Sequence, residues 1–130
     1  MTVKFDRAAV IGVGLIGASL ARAMRARGLA GRIAGFDLDP EVRARALACG
    51  AVDEAPETLD AALRGAGLVI VSTPVGAMPA VLAAVAAKAG DGALVIDVGS
   101  VKGAVVEAAA ALSPRVHVVP CHPVAGTEQS

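Results

Sequence analysis

Aromatic residues are almost missing from this chain: there is no Trp, no Tyr and only two Phe, Phe5 and Phe36. Nothing is available to stack on bases. Twelve Lys and Arg are balanced by twelve Asp and Glu, so there is no basic excess either. Together these argue against a nucleic-acid surface. Cysteine is scarce as well. Cys49 and Cys121 are too few for a disulfide framework or a metal set, and they fit free thiols in a reducing cytosol. No block of like charge marks a disordered tail. No fixed-period repeat or low-complexity linker divides the chain. The first residues, Met1 to Asp6, carry charge and no cleavage pattern, so no signal peptide is read there.

What remains is apolar and aliphatic. Hydrophobic residues make up 55% of 130 positions, so one domain with a core of Ala, Val, Leu and Ile is expected. One stretch, 68–87, has 20 residues without a charge, which is long enough to span a membrane. Ser72-Thr73-Pro74, Gly76 and Pro79 interrupt it. Its first part, Leu68-Val69-Ile70-Val71, is β-branched and of strand length, and its second part is Ala-rich. A buried parallel strand followed by a helix accounts for both halves.

The organising motif lies near the start. An apolar run, Ala8-Ala9-Val10-Ile11, leads into Gly12, Gly14 and Gly17 at GxGxxG spacing, and helix-forming residues follow. Gly12 would allow a tight turn, Gly14 a close approach of phosphate to backbone, and Gly17 close helix–strand packing. Leu15 and Ile16 would open the helix, whose free N–H groups and positive dipole end attract an anion. The spacing alone is weak evidence. Its context strengthens it: strand-like before, helix-like after, and an acid, Asp37, 20 residues past Gly17 at the end of a second strand-like run. A carboxylate there can accept hydrogen bonds from an adenosine ribose.

Strand and helix patterns alternate throughout. Strands are read at 7–12, 32–37, 68–71, 93–97 and 116–119, with a short further one at 51–53. Helices are read at 15–27, 40–49, 57–64, 78–89 and 101–112. Asp39 and Pro40 fit the cap and first position of the second helix. This predicts an α/β fold, a doubly wound and mostly parallel sheet of the Rossmann dinucleotide-binding type. Ligands in such sheets lie beyond the carboxyl ends of the strands. The residues leaving those ends are Gly12 to Gly17, Asp37, Ser72-Thr73-Pro74, Gly99-Ser100 and His122, so these are expected on one rim.

His122 is the histidine in a loop leaving a strand. With an ordinary pKa of about 6.5 it can take a proton from an alcohol near neutral pH. A packing or surface histidine in a proline-bounded turn fits the spacing equally well. His117 falls inside a strand and reads as structure. Ser100 opens a helix, where capping is its plain role and a hydrogen bond to His122 or to substrate is compatible with it. Lys102 reads as solvent-facing. Thr127 and Glu128 follow the histidine closely.

Four pieces of the chain resemble the prephenate/arogenate dehydrogenases of tyrosine biosynthesis. They are Val10 to Ala21, Ser72-Thr73-Pro74-Val75, Asp97-Val98-Gly99-Ser100-Val101-Lys102-Gly103 and His122-Pro123-Val124-Ala125-Gly126-Thr127-Glu128. The first piece is shared by many dinucleotide enzymes; the last two are much more specific. The resemblance implies a cytoplasmic enzyme using NAD for oxidative decarboxylation of prephenate or arogenate. His122 would assist deprotonation of the ring hydroxyl, Ser100 would orient that pair, and Thr127 and Glu128 would border the substrate. Gly12, Gly14, Leu15, Ile16, Gly17, Asp37, Ser72, Thr73, Pro74 and Gly99 would hold the cofactor. Asp37 and Asp39, with no arginine immediately after, favour NAD, because a 2′-phosphate would meet negative charge.

Family members usually continue into an all-helical second domain that completes the substrate site and forms a homodimer. This chain ends soon after the histidine motif. Residues 1–130 are therefore expected to be the cofactor-binding domain of a longer protein, to bind NAD, and to turn substrate over poorly or not at all. Two other readings stay open: another hydroxyacid-type NAD(P) oxidoreductase on the same fold, and a non-catalytic NAD-binding module.

Overall fold

The computed structural model describes residues 5–73, 78–98 and 117–120. Its elements run β1 (Phe5–Ile11), α1 (Leu15–Ala26), β2 (Ala30–Phe36), α2 (Pro40–Ala48), α3 (Leu59–Leu63), β3 (Leu68–Val71), α4 (Met78–Lys88), β4 (Leu94–Asp97) and β5 (His117–Pro120). The five strands form one sheet in the order β2-β1-β3-β4-β5, and every pairing is parallel. The expected α/β doubly wound architecture is present.

Parallel strands covered on both faces need apolar residues at consecutive positions, not alternate ones. β1 shows why. Ala8 and Val10 point to one face, packing with Ile33, Leu68 and Ile70 beneath Ala21 and Met24 of α1 and Ala46 of α2. Ala9 and Ile11 point to the other, with Val69, Val71 and Val95 beneath Leu63 of α3 and Leu82 and Val85 of α4. Small residues substitute for aromatic bulk by letting the layers close up. A Cβ on Gly35 would lie 2.8 Å from Val13 Cγ1 and 2.9 Å from Val52 Cγ1.

The uncharged stretch that looked long enough for a membrane resolves into the four-residue β3 and the eleven-residue α4. No helix among the described residues is long and apolar enough to cross a membrane. Local signals act as expected at α2, where the Asp39 side chain accepts from Glu41 N at 2.9 Å and Pro40 is the first helical residue. Cys49 closes that helix as a free, exposed thiol, and the Arg22 guanidinium beside it holds the thiol below its ordinary pKa.

The strand expected at 51–53 is not one. Ala51 and Val52 are buried under the sheet edge, and only an isolated parallel bridge joins Ala34 to Glu54. Asp53 explains the interruption: its Oδ2 accepts from Ile33 N at 2.8 Å, a place that a ladder carbonyl would otherwise fill. Among the described residues the sheet therefore has five strands, not six. β2 also ends at Phe36, one residue before the acid. The helix expected over 101–112 lies outside the described residues.

Candidate functional site: a cavity at the strand ends

β1 stands between β2 and β3, and the chain leaves it in one direction and returns on the other side. α1 and α2 consequently cover one face while α3 and α4 cover the opposite one. Such a reversal opens a crevice at the carboxyl end of the central strand. Gly12 N donates to Phe36 O at 2.7 Å and Ser72 N to Ile11 O at 2.8 Å, fastening the neighbouring strand exits to that point.

Gly12 has φ +92°, a conformation that side chains disfavour, and a Cβ there would stand 2.7 Å from the Ser72 carbonyl oxygen. Both the turn and its contact with the β3 exit require glycine. A Cβ on Gly17 would fall onto the Gly12 carbonyl oxygen, so α1 starts closer to β1 than any other residue permits. Gly14 differs: nothing lies within 4 Å of its would-be Cβ. It is the N-cap of α1, and it offers no side chain to the helix end.

That helix end is chemically open. The first amide bonded within the helix is that of Ala18, to Gly14 O at 2.8 Å. No capping side-chain bond is made and no acid stands in the first turn. The preceding N–H groups are the helix's unsatisfied donors, carrying the positive end of its dipole. Around them is a cavity of about 700 Å³, the size of a small-molecule site. Its walls include Leu15, Ile16, Leu38 and Val81, with Phe36 and Asp37 at the β2 exit and Ser72 and Thr73 at the β3 exit. Leu15 and Leu38 are 87% exposed and Ile16 is 56% exposed, although all three are apolar. Large aliphatic side chains left to water around one hollow mark a surface awaiting a ligand.

Asp37 is tied to this loop. Its Oδ2 accepts from Val13 N at 3.3 Å and its Oδ1 from Asp39 N at 3.0 Å. Each oxygen keeps a further lone pair, so the carboxylate can also receive ribose hydroxyls. The Asp37 carbonyl accepts from Arg43 Nη1 at 2.7 Å.

Of the residues expected to hold a cofactor, the structure gathers Gly12, Gly14, Leu15, Ile16, Gly17, Asp37, Ser72 and Thr73 around the one cavity. Pro74 and Gly99 lie outside the described residues, as do Ser100, His122, Thr127 and Glu128. Sequence reasoning passed over Phe36, Leu38, Val81 and Arg43. Leu38 had a signal, a bulky apolar residue between two acids in a turn. Val81 had none, because helix periodicity does not tell which turn borders a cavity.

An uncapped helix end, a strand-order reversal and an acid one strand away define a dinucleotide-binding domain. The model of the prephenate dehydrogenase nucleotide-binding domain matches residues 20–130. The chain belongs to the prephenate dehydrogenase family, within its nucleotide-binding domain. It is 39% identical, over all 130 residues, to the cyclohexadienyl dehydrogenase of Zymomonas mobilis, 44% of which is covered. Among solved structures, prephenate dehydrogenase of Aquifex aeolicus, in complex with hydroxyphenyl propionate and NAD+, superposes with a TM-score of 0.84 at 29% identity. That match covers 99% of this chain and 45% of the other. Arogenate dehydrogenase of Synechocystis gives 0.81 at 33% identity, covering 95% of this chain and 42% of the other. The chain thus spans less than half the length of these relatives.

Proposed function

We propose that the chain is the NAD-binding part of a dehydrogenase that oxidatively decarboxylates prephenate or arogenate in the cytoplasm. The observation that carries this reading is the open, acid-free amino end of α1 facing an apolar-walled cavity, with Asp37 across from it. These residues fit the cofactor: the space at Gly14 admits a diphosphate against the backbone, the amides of residues 15–17 attract its charge, and Asp37 takes the ribose. Leu38 and Val81 offer apolar walls to the base. When bound, NAD supplies the acceptor for the hydride leaving the ring carbon that bears the hydroxyl.

The protein's own part is to position and to move one proton. His122 accepts the proton of the ring hydroxyl at an imidazole nitrogen, Ser100 orients the imidazole, and Thr127 and Glu128 border the substrate. Loss of carbon dioxide and aromatisation make the step irreversible. The family resemblance of the motifs around Ser100 and His122 supports these roles. In the same reading a second, helical domain supplies the group that holds a substrate carboxylate and pairs two subunits.

The test is NADH formation, followed by absorbance, by the complete protein with prephenate and with arogenate. Activity with either is expected, and His122→Asn should lower kcat on the order of a hundredfold or more while leaving NAD+ affinity nearly unchanged. Full turnover by the variant removes the proposed base. Turnover of hydroxyacids with no activity on either cyclohexadiene acid replaces the proposed substrate.

A further inference from the structure

Arg43 lies in α2, six residues past Asp37, and is half-buried. Its Nη1 donates to the Asp37 carbonyl. The ion pairs among the described residues engage Arg7, Arg25, Arg32 and Lys88, and none includes Arg43. A guanidinium has five N–H donors in a rigid fork suited to phosphate, and one carbonyl occupies only one of them. The carbonyl in question belongs to the residue whose carboxylate stands in the cavity wall. A cation with donors to spare is therefore fastened beside the site where the adenosine ribose would lie.

We propose that Arg43 is a latent ligand for a ribose 2′-phosphate, masked as long as the Asp37 carboxylate is in place. The proposal rests on the nucleotide reading of the cavity. As the chain stands, the Asp37 carboxylate is pinned by Val13 N and Asp39 N and cannot swing aside, so a 2′-phosphate would meet it. Removing that charge leaves the Arg43 guanidinium fixed on the position-37 carbonyl with donors to spare. Asp39 and Glu41 stay negative, but both are exposed, and Asp39 already caps α2. Water screens them. Serine at position 37 keeps a short polar acceptor for the two backbone amides.

The experiment is calorimetric titration of NAD+ and NADP+ into the protein and its D37S, R43M and D37S/R43M variants. D37S should shift the ratio of the two affinities toward NADP+ on the order of a hundredfold. D37S/R43M should lose about tenfold or more of the NADP+ affinity gained, with NAD+ affinity close to that of D37S. Equal NADP+ affinity in D37S and D37S/R43M overturns the role of Arg43. Should D37S not fold, D37N and D37N/R43M take its place, and equal NADP+ affinity in that pair overturns the role of Arg43 while a selective loss in the double variant supports it. If the unaltered protein binds neither dinucleotide, the cavity reading fails first and this inference with it.

Discussion

Arg7 and Gly12 stand five residues apart on one run of chain, and the surfaces around them are opposites. Near Arg7, charge is abundant and engaged internally. Glu54 Oε2 receives Arg7 Nη1 and Arg32 Nε, each at 2.6 Å, while Arg7 Nη2 reaches the Ala61 carbonyl at 3.1 Å and Arg25 pairs with Asp53 at 3.1 Å. Near Gly12, side-chain charge is sparse, backbone donors point at open space and aliphatic side chains are left wet. The first region has the more conspicuous electrostatics, yet its charges answer one another and leave little for a ligand. The second offers donors with no partner and apolar walls with nothing against them. Unmet demand, more than the density of polar groups, marks the site.

The contrast can be broken most forcefully at Gly17. Gly17→Ala places a methyl on the Gly12 carbonyl, a backbone atom that cannot step aside. A loss of about 3 kcal/mol in denaturant unfolding is expected, with cofactor binding lost alongside it. Gly14→Ala tests the same loop without that collision. Its φ of −69° suits alanine and its surroundings are empty, so stability should stay within about 0.5 kcal/mol. NAD+ affinity by calorimetry should fall about tenfold, because the methyl occupies the diphosphate's approach. Equal damage from both variants would show that Gly14, too, is there for packing.

The charged region should give the reverse pattern. Glu54→Gln leaves Arg7, only 18% exposed, without its anion, and should cost about 1 kcal/mol in thermal unfolding with NAD+ affinity unaltered. Hydrogen bonds from Arg7 and then from Arg32 hold the Glu54 carboxyl below the usual carboxylate range. Its folded-state pKa is thus below its unfolded one. The stabilisation is present above the unfolded value, about 4.3, and fades as pH falls through the folded one. The variant should therefore flatten the acid limb of the stability profile. The smallest effect is expected at Leu38. Leu38→Ser removes an apolar wall that is already wet, so stability should not change while NAD+ affinity drops about threefold. Leu47→Ser, also exposed but away from the cavity, should leave affinity as it was.

The cavity was legible in the sequence where local chemistry leaves few choices. Glycines at 12, 14 and 17 predicted a strand–turn–helix, and the contacts require glycine at 12 and 17 while leaving open space at 14. Asp37 was recognisable because a strand, a turn and an acid appear in a fixed order. Reading stopped where tertiary contact decides. Ala51-Val52-Asp53 had the composition of a strand end, but the Asp53 side chain took the amide that pairing needed. Arg43 was hidden because it stands six residues past Asp37, not beside it in sequence. The bend at 38–39 and the first turn of α2 bring the guanidinium back to the Asp37 carbonyl, a return that linear spacing hides. Only the fold reveals one glutamate, Glu54, between Arg7 and Arg32.

The segment at 53–54 that failed to become a strand has a consequence for association. Asp53 N and Glu54 N both donate to Ile33 O, Glu54 O accepts from Gly35 N, and the Asp53 carboxylate takes Ile33 N. The outer margin of the sheet is sealed by a short irregular strip whose acids are clasped by arginines. A stray β-segment from another molecule would find those backbone groups occupied and would have to displace ion pairs to dock, so sheets should not concatenate along this border.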